Sequence, residues 1–313
     1  MTSTRVGPTD GTTTSAQDAA PTGPSASTIV FDAVTKRYPG GAPGARPAVE
    51  AFSAELRPGA ITVLLGSSGC GKTTLLRMVN RMVEPTSGRV LIDGEDVTRG
   101  DAVALRRSIG YVMQNGGLLP HRRVIDNIAL VPRLSGTSRA DAHDRARELM
   151  ELVGLDASLA RRYPHQLSGG QAQRVGVARA LAADPGVLLM DEPFGAVDPL
   201  VRRELQHELW RLQGELAKTV LFVTHDVDEA LALGDDIILL REGAEIAQRG
   251  TGPELLEHPA DDFVIRFLGL DDAARARRLR EVADATDAVA SRGGGTTNAA
   301  GPADDDRAGT ETA

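Results

Sequence analysis

Gly66-Ser67-Ser68-Gly69-Cys70-Gly71-Lys72-Thr73-Thr74 is the stretch that decides the fold. Before it runs an apolar, β-branched segment, Ile61-Thr62-Val63-Leu64-Leu65, and after it Leu75-Leu76-Arg77-Met78-Val79 reads as helix. Strand, glycine loop and helix, in that order, give the pattern G-x-x-x-x-G-K-T the context of a phosphate-binding loop. Glycines let the backbone close round an anion where a Cβ would clash. Successive loop N–H groups and the first helical turn point at the anion, and the helix dipole adds to the attraction. Lys72 suits the β- and γ-phosphates of a nucleotide as a point charge, and the Thr73 hydroxyl suits Mg²⁺. Residues 66–74 are therefore the expected nucleotide-binding loop.

Outside this loop the chain sets wide bounds. Its 313 residues suit one large or two small domains. A net charge of −8 gives no electrostatic footprint for nucleic acid. The single cysteine excludes an internal disulfide and fits a reducing cytosol. The longest apolar runs, such as 61–65, 187–190, 220–223 and 237–240, are strand-length, far short of the ~20 residues that span a bilayer. The N-terminus shows no apolar signal core. These features predict a chain that is soluble by itself and reaches a membrane only through a partner.

Residues 1–27 are small and polar, with almost no large apolar side chain, and read as disordered. Strands are expected at Thr28–Phe31, Val49–Leu56 and 61–65, then at Arg89–Gly94 and Ile109–Met113. From about 116 to 182 the periodicity is mainly helical, clearest over Arg139–Val153 and Gly170–Ala182. Strands return at Val187–Asp191, Val220–Thr224 and Ile237–Leu240, the first two separated by a helix at about 199–217. A short strand near Glu245–Gln248 and a helix at Pro253–Leu256 follow. The pattern is that of an α/β core with an inserted helical subdomain. Residues 271–290 can extend as an exposed Ala/Arg/Asp helix, within a polar and largely disordered tail over 269–313.

Val187-Leu188-Leu189-Met190-Asp191-Glu192 is a buried strand that delivers two acids to its C-terminal end, where open α/β sheets place ligand chemistry. Asp191 suits Mg²⁺ coordination, and Glu192 suits a general base that polarises an attacking water. Leu167-Ser168-Gly169-Gly170-Gln171 opens a second helix. Ser168 can act there as a simple N-cap. Two consecutive glycines, however, expose backbone N–H groups to an anion.

A Leu-Ser-Gly-Gly-Gln run between such a loop and such an acidic strand resembles the signature of the ATP-binding-cassette family. Residues 28–268 resemble that family's domain, which implies a P-loop NTPase core of RecA type, an antiparallel β subdomain and an inserted α-helical subdomain at about 116–182. By the same resemblance Tyr38 matches the adenine-stacking aromatic. Gln114 matches the glutamine that senses Mg²⁺ and the γ-phosphate and faces the membrane partner. Asp198 matches the acid of the D-loop, and His225 the switch histidine on the γ-phosphate. The resemblance implies ATP and Mg²⁺ as ligands, with Thr73, Gln114 and Asp191 toward the metal. It also implies a head-to-tail pair of copies, in which Ser168, Gly169, Gly170 and Gln171 of one chain act on the nucleotide held by the other.

Finer likenesses point to the glycine betaine, carnitine and choline importers: Asn80–Gly88, Gly117–His121, Asp126–Pro132 and Asp191–Pro199. They imply an ATPase subunit at the cytoplasmic face of the cell membrane, working with two permease subunits and an extracytoplasmic solute-binding protein, and with no nucleic acid. Cassettes for nitrate, sulfonates, polyamines or amino acids, and non-transport cassette ATPases, are the alternatives. Unlike many betaine-type ATPases, the chain after 270 is too short and polar for paired regulatory domains, so osmotic gating is not expected of it. Cys70, just before a helix N-terminus, is expected to have a lowered pKa and a reactive thiol. His121 and His165 are read as bystanders, and Trp210 as packing its helix.

Overall fold

A computed structural model describes residues 26–40, 44, 46–114, 116–195 and 198–293; for 199, 200, 215, 285 and 287–293 it describes the backbone alone. Its strands are β1 (Ile29–Lys36), β2 (Val49–Leu56), β3 (Ile61–Gly66), β4 (Ser87–Ile92), β5 (Glu95–Asp96), β6 (Ile109–Val112), β7 (Val187–Asp191), β8 (Thr219–Thr224), β9 (Asp236–Leu240) and β10 (Ile246–Gly250). Its α-helices are α1 (Lys72–Val79), α2 (Ala102–Ser108), α3 (Val124–Ile128), α4 (Leu130–Leu134), α5 (Arg139–Leu152), α6 (Gly169–Leu181), α7 (Pro199–Leu216), α8 (Val227–Leu233), α9 (Gly252–Glu257), α10 (Asp262–Leu268) and α11 (Ala273–Gly293).

The strands form two sheets. One is four-stranded and antiparallel, in the order β2-β1-β4-β5. The other is six-stranded, in the order β10-β9-β3-β8-β7-β6, parallel except for the edge strand β10. Every residue of β3, β7, β8 and β9 is buried. That explains why these strands read as continuous apolar runs: a parallel sheet is covered on both faces.

The two faces bury different partners. Ile61, Val63 and Leu65, with Val220, Phe222 and Leu188, point into one core built with α5, α6, α7 and α8. Leu64, with Leu221, Val223 and Leu189, points into a second core that includes Leu75, Leu76, Met78 and Val79 of α1 and Phe31 and Phe52 of the antiparallel sheet. Phe31 and Phe52 meet edge to face, ring centroids 5.3 Å apart. The period-2 alternation of the strand thus sends α1 and α6 to opposite faces of the central sheet.

Helix starts follow local chemistry. Asp101, Ser138 and Asp226 accept backbone N–H bonds at the starts of α2, α5 and α8, and Thr251 and Glu254 form a reciprocal box on α9.

The C-terminal region departs from expectation. Residues 273–293 form α11, which is not a solvated appendage: Ala276, Leu279 and Ala283 are buried against α8 and α9. Ala276, Leu279 and Ala283 make a narrow apolar stripe at helical spacing, and that stripe lets a polar helix dock. The ordered unit therefore runs past 268. Residues 1–25 and 294–313, both read as disordered, lie outside the described residues.

Candidate active site

The glycine loop leaves β3 through Gly66 at φ 158°. A Cβ there would lie 2.6 Å from the Leu240 carbonyl oxygen and 2.9 Å from Cys70 Sγ. At Gly71, φ is 116° and a Cβ would meet the Ala48 carbonyl oxygen at 2.5 Å. Both obstacles include backbone, so only glycine fits. Ser67, Ser68 and Gly69 stand exposed at the tip of the loop.

Lys72 follows at the first position of α1 and is 4% exposed. Its Nζ donates to the carbonyls of Gly66 (2.7 Å) and Ser67 (2.8 Å) and forms no ion pair with a carboxylate among the described residues. With the Cys70 sulfur at 3.9 Å as its other partner, this buried ammonium has no carboxylate among the described residues to compensate its charge, which is the electrostatic preparation an anion site needs.

Thr73 and Asp191 meet across the sheet: the Thr73 hydroxyl donates to Asp191 Oδ1 at 2.9 Å. The other carboxylate oxygen accepts from the Tyr111 hydroxyl at 3.3 Å and faces Arg77 Nη2 at 3.5 Å. Burial and the Asp191 charge push the Tyr111 phenol above its usual range, so it stays a proton donor here. Sequence reading passed over both partners. Arg77 carried a signal, since it lies four residues after Thr73 on one helix face. Tyr111 carried none: the parallel pairing of β6 with β7 brings it there.

Glu192 sits one residue past β7 at φ 44°, a strained backbone for a non-glycine residue. Its N–H donates to the Val223 carbonyl at 3.0 Å, which fixes the turn. Its carboxylate is gripped from two sides. Gln114 Nε2 donates to Oε2 at 3.0 Å, and His225 Nδ1 lies 3.2 Å from Oε1. Gln114 comes from the end of β6 and His225 from the end of β8, so three strand ends converge on one carboxylate.

Tyr38 is 51% exposed, with its hydroxyl 3.4 Å from Thr74 Oγ1 and the Lys36 ammonium 5.2 Å from its ring centroid. One face of the aromatic is thus available beside the loop.

Cys70 is corrected. Its side chain is fully buried in the core under α1, and that burial pushes the thiol above its usual value despite Lys72 nearby. The expected lowering fails because desolvation outweighs the Lys72 charge and the hydrogen bonds that favour the thiolate.

Ser168, Gly169, Gly170 and Gln171 do not join this constellation within one chain. Ser168 Oγ accepts from Gln171 N at 3.2 Å, and Gln171 Oε1 accepts from Ser168 N at 3.1 Å, closing a capping box at the start of α6. Gly170 also has a packing reason, because a Cβ there would lie 2.4 Å from Val201 Cγ1 on α7. Asp198 is exposed and accepts from Val201 N at 3.1 Å, capping α7. His165 stacks on Tyr163 with ring centroids 6.0 Å apart, remote from this chemistry. Trp210 packs against the larger core, as expected. Among the described residues no helix is long and apolar enough to cross a membrane.

The chain is similar to known proteins over most of its length. The pattern of the ABC transporter family matches residues 49–195. The chain is 48% identical over 249 residues to the glycine betaine/carnitine/choline transport ATP-binding protein OpuCA of Bacillus subtilis, covering 80% of this chain and 64% of that protein. It is 49% identical over 257 residues to the glycine betaine uptake system ATP-binding protein YehX of Escherichia coli, covering 82% of each. The chain thus spans less than two thirds of OpuCA and most of YehX. Among solved structures, a dimeric post-hydrolysis state of the ATP-binding cassette MJ0796 bound to ADP and Pi superposes with a TM-score of 0.65 at 33% identity, over 71% of this chain and 98% of that one.

Proposed function

The chain belongs to the ABC transporter family, and on that premise we propose that it is the ATP-hydrolysing subunit of a bacterial importer for a quaternary-amine osmoprotectant. The observation that carries the ATPase reading is the convergence of Gln114, Glu192 and His225 beside the Thr73–Asp191 pair.

ATP is the substrate. Gly66 to Thr74 cradle its phosphates, with Lys72 turning from its two carbonyls to the γ-phosphate end. Tyr38 takes the adenine on its open face. Mg²⁺ fits the donor set: Thr73 and Asp191 already present facing hard oxygens, and no cluster of three His, Cys, Asp or Glu among the described residues would hold a metal by itself. Thr73, Asp191 and Gln114 are the residues that would hold such a cation beside the nucleotide. When bound, it neutralises phosphate charge. Tyr111 and Arg77 hold the Asp191 carboxylate in register toward it. Glu192 is the general base that takes a proton from the attacking water, and the grip of Gln114 and His225 orients its carboxylate.

A second copy completes the site. The dimeric state of the MJ0796 cassette, to which the chain is similar, supports a head-to-tail pair in which Ser168–Gln171 meet the partner's nucleotide. Two permease subunits dock near Gln114 and residues 116–132, an extracytoplasmic binding protein delivers the solute, and the chain works at the cytoplasmic face of the membrane. The names of OpuCA and YehX support the solute class.

The test is uptake of radiolabelled glycine betaine and choline by cells with the gene, without it, and with Lys72→Ala. Loss of uptake in both altered strains supports the importer reading. Unchanged uptake in strains lacking redundant transporters assigns the cassette to another solute.

A further inference from the structure

Arg202 lies in the first turn of α7, four residues past Asp198. Its Nη1 reaches Asp226 Oδ2 at 3.2 Å, and its Nε lies 3.7 Å from Glu229 Oε1. Those two acids hold both flanks of His225. Thr224, just before the histidine, donates its hydroxyl to Glu229 at 2.6 Å. Asp226, just after it, donates its N–H to that same hydroxyl at 3.0 Å and caps α8 through the N–H groups of Asp228 and Glu229. Glu229 is the buried member of the network, 5% exposed, while the Arg202 and Asp226 side chains are 27% and 31% exposed. Burial raises the Glu229 pKa, and the Thr224 hydroxyl and, after it, the Arg202 charge oppose that shift.

The neighbouring residue, Val201, faces the other way. It packs where a Cβ on Gly170 would lie, at 2.4 Å. Two adjacent residues of one helical turn thus meet the start of α6 and the two carboxylates, Asp226 and Glu229, that brace the backbone either side of His225. An α-helical turn is stiff, so a displacement at Gly170 is transmitted to Arg202.

We propose that Arg202 is a positioning residue for hydrolysis, tying the first turn of α7 to the switch histidine so that the start of α6 and His225 move as one unit. This rests on the ATPase reading above. Arg202 makes no contact with Gln114, Glu192 or His225 among those described for it. It acts through Asp226, Glu229 and Thr224 on the imidazole that faces Glu192. Because Ser168–Gln171 serve the partner's nucleotide in that reading, the link also carries the state of one ATP site to the other within a single chain.

The test uses the purified full chain and compares steady-state ATPase kinetics, equilibrium binding of a fluorescent ATP analogue and thermal unfolding for wild type, Arg202→Met and Arg202→Lys. Arg202→Met keeps an aliphatic stem of similar length and removes the guanidinium. The expected result is a fall in kcat of roughly tenfold to a hundredfold, with analogue affinity and the KM for ATP within about twofold of wild type, and substantial recovery in Arg202→Lys. Cooperativity in ATP concentration should weaken in Arg202→Met alone. Wild-type kcat and cooperativity in Arg202→Met would overturn the proposal. So would equal loss in both variants accompanied by lowered unfolding temperature and weakened analogue binding, which marks a packing role. A wild-type chain with no ATPase activity would overturn the underlying ATPase reading instead.

Discussion

The carboxylate of Glu192 lies 3.2 Å from the imidazole Nδ1 of His225, and this pair bridges the ends of two adjacent parallel strands. Glu192 reaches it only through a left-handed backbone at φ 44°. Strain of this kind costs on the order of 1–3 kcal/mol and persists where surrounding structure over-determines it. Here the Val223 carbonyl, Gln114 and His225 do so.

Replacing Glu192 with Gln keeps the side-chain shape and removes the base. ATP turnover should fall by at least about a hundredfold, while ATP still binds. Size-exclusion chromatography in saturating ATP should then show a dimer that the wild type does not accumulate. A monomeric Glu192→Gln protein under those conditions would contradict the two-copy site.

The Cys70 thiol should resist alkylation at pH 7.5 in the folded protein and react freely in urea, because burial raises its pKa. The sign of the linkage follows. A thiol whose folded pKa exceeds its ordinary value near 9.0 contributes stability in full below that pH, and the contribution is lost as pH rises through the folded value. Urea midpoints measured from pH 7 to 10 should fall more steeply for wild type than for Cys70→Ala. Fast iodoacetamide labelling of native protein would reverse this account.

Gly170→Ala should destabilise the chain by about 1–3 kcal/mol, since its Cβ would overlap Val201 Cγ1 and Val has little rotamer freedom. Val201→Ala should restore most of that loss in the double variant, measured by chemical unfolding. Additive losses would place the glycine's requirement outside this contact.

Leu279→Ala should lower stability by about 2–4 kcal/mol, because Leu279 is fully buried where α11 packs on α8 and α9. Arg278→Ala should cost under about 1 kcal/mol, since its 2.7 Å ion pair with Asp228 joins two solvent-exposed groups. Thermal unfolding of the two variants gives the ranking directly. Equal effects would mean that α11 is held by charge and not by its apolar stripe.

Much of the architecture was legible in the chain. The strand–loop–helix at 61–79, the acidic strand end at 191–192 and the glycine-opened helix at 169 all lie where reading placed them, because each is specified by neighbours in sequence: apolar period, glycine φ and cap chemistry. The docking of α11 was not legible. Its apolar stripe consists of Ala276, Leu279 and Ala283, too small to outweigh ten or more charged and polar neighbours in a composition-based reading, yet enough once α8 and α9 offer a surface.

What the sequence determined by itself is the inventory: a phosphate loop, two strand-end acids, a glutamine, a histidine and a second glycine-started helix, each fixed by short-range pattern. What only the tertiary structure decided is which of them meet. Parallel pairing of β6, β7 and β8 brings Tyr111 to Asp191 and both Gln114 and His225 to Glu192, across separations of 33 to 80 residues. The same packing buries Cys70 and sends α6 to the far face from α1. Sheet order and burial are set by long-range complementarity of apolar faces, and no local window of sequence contains both members of such a contact.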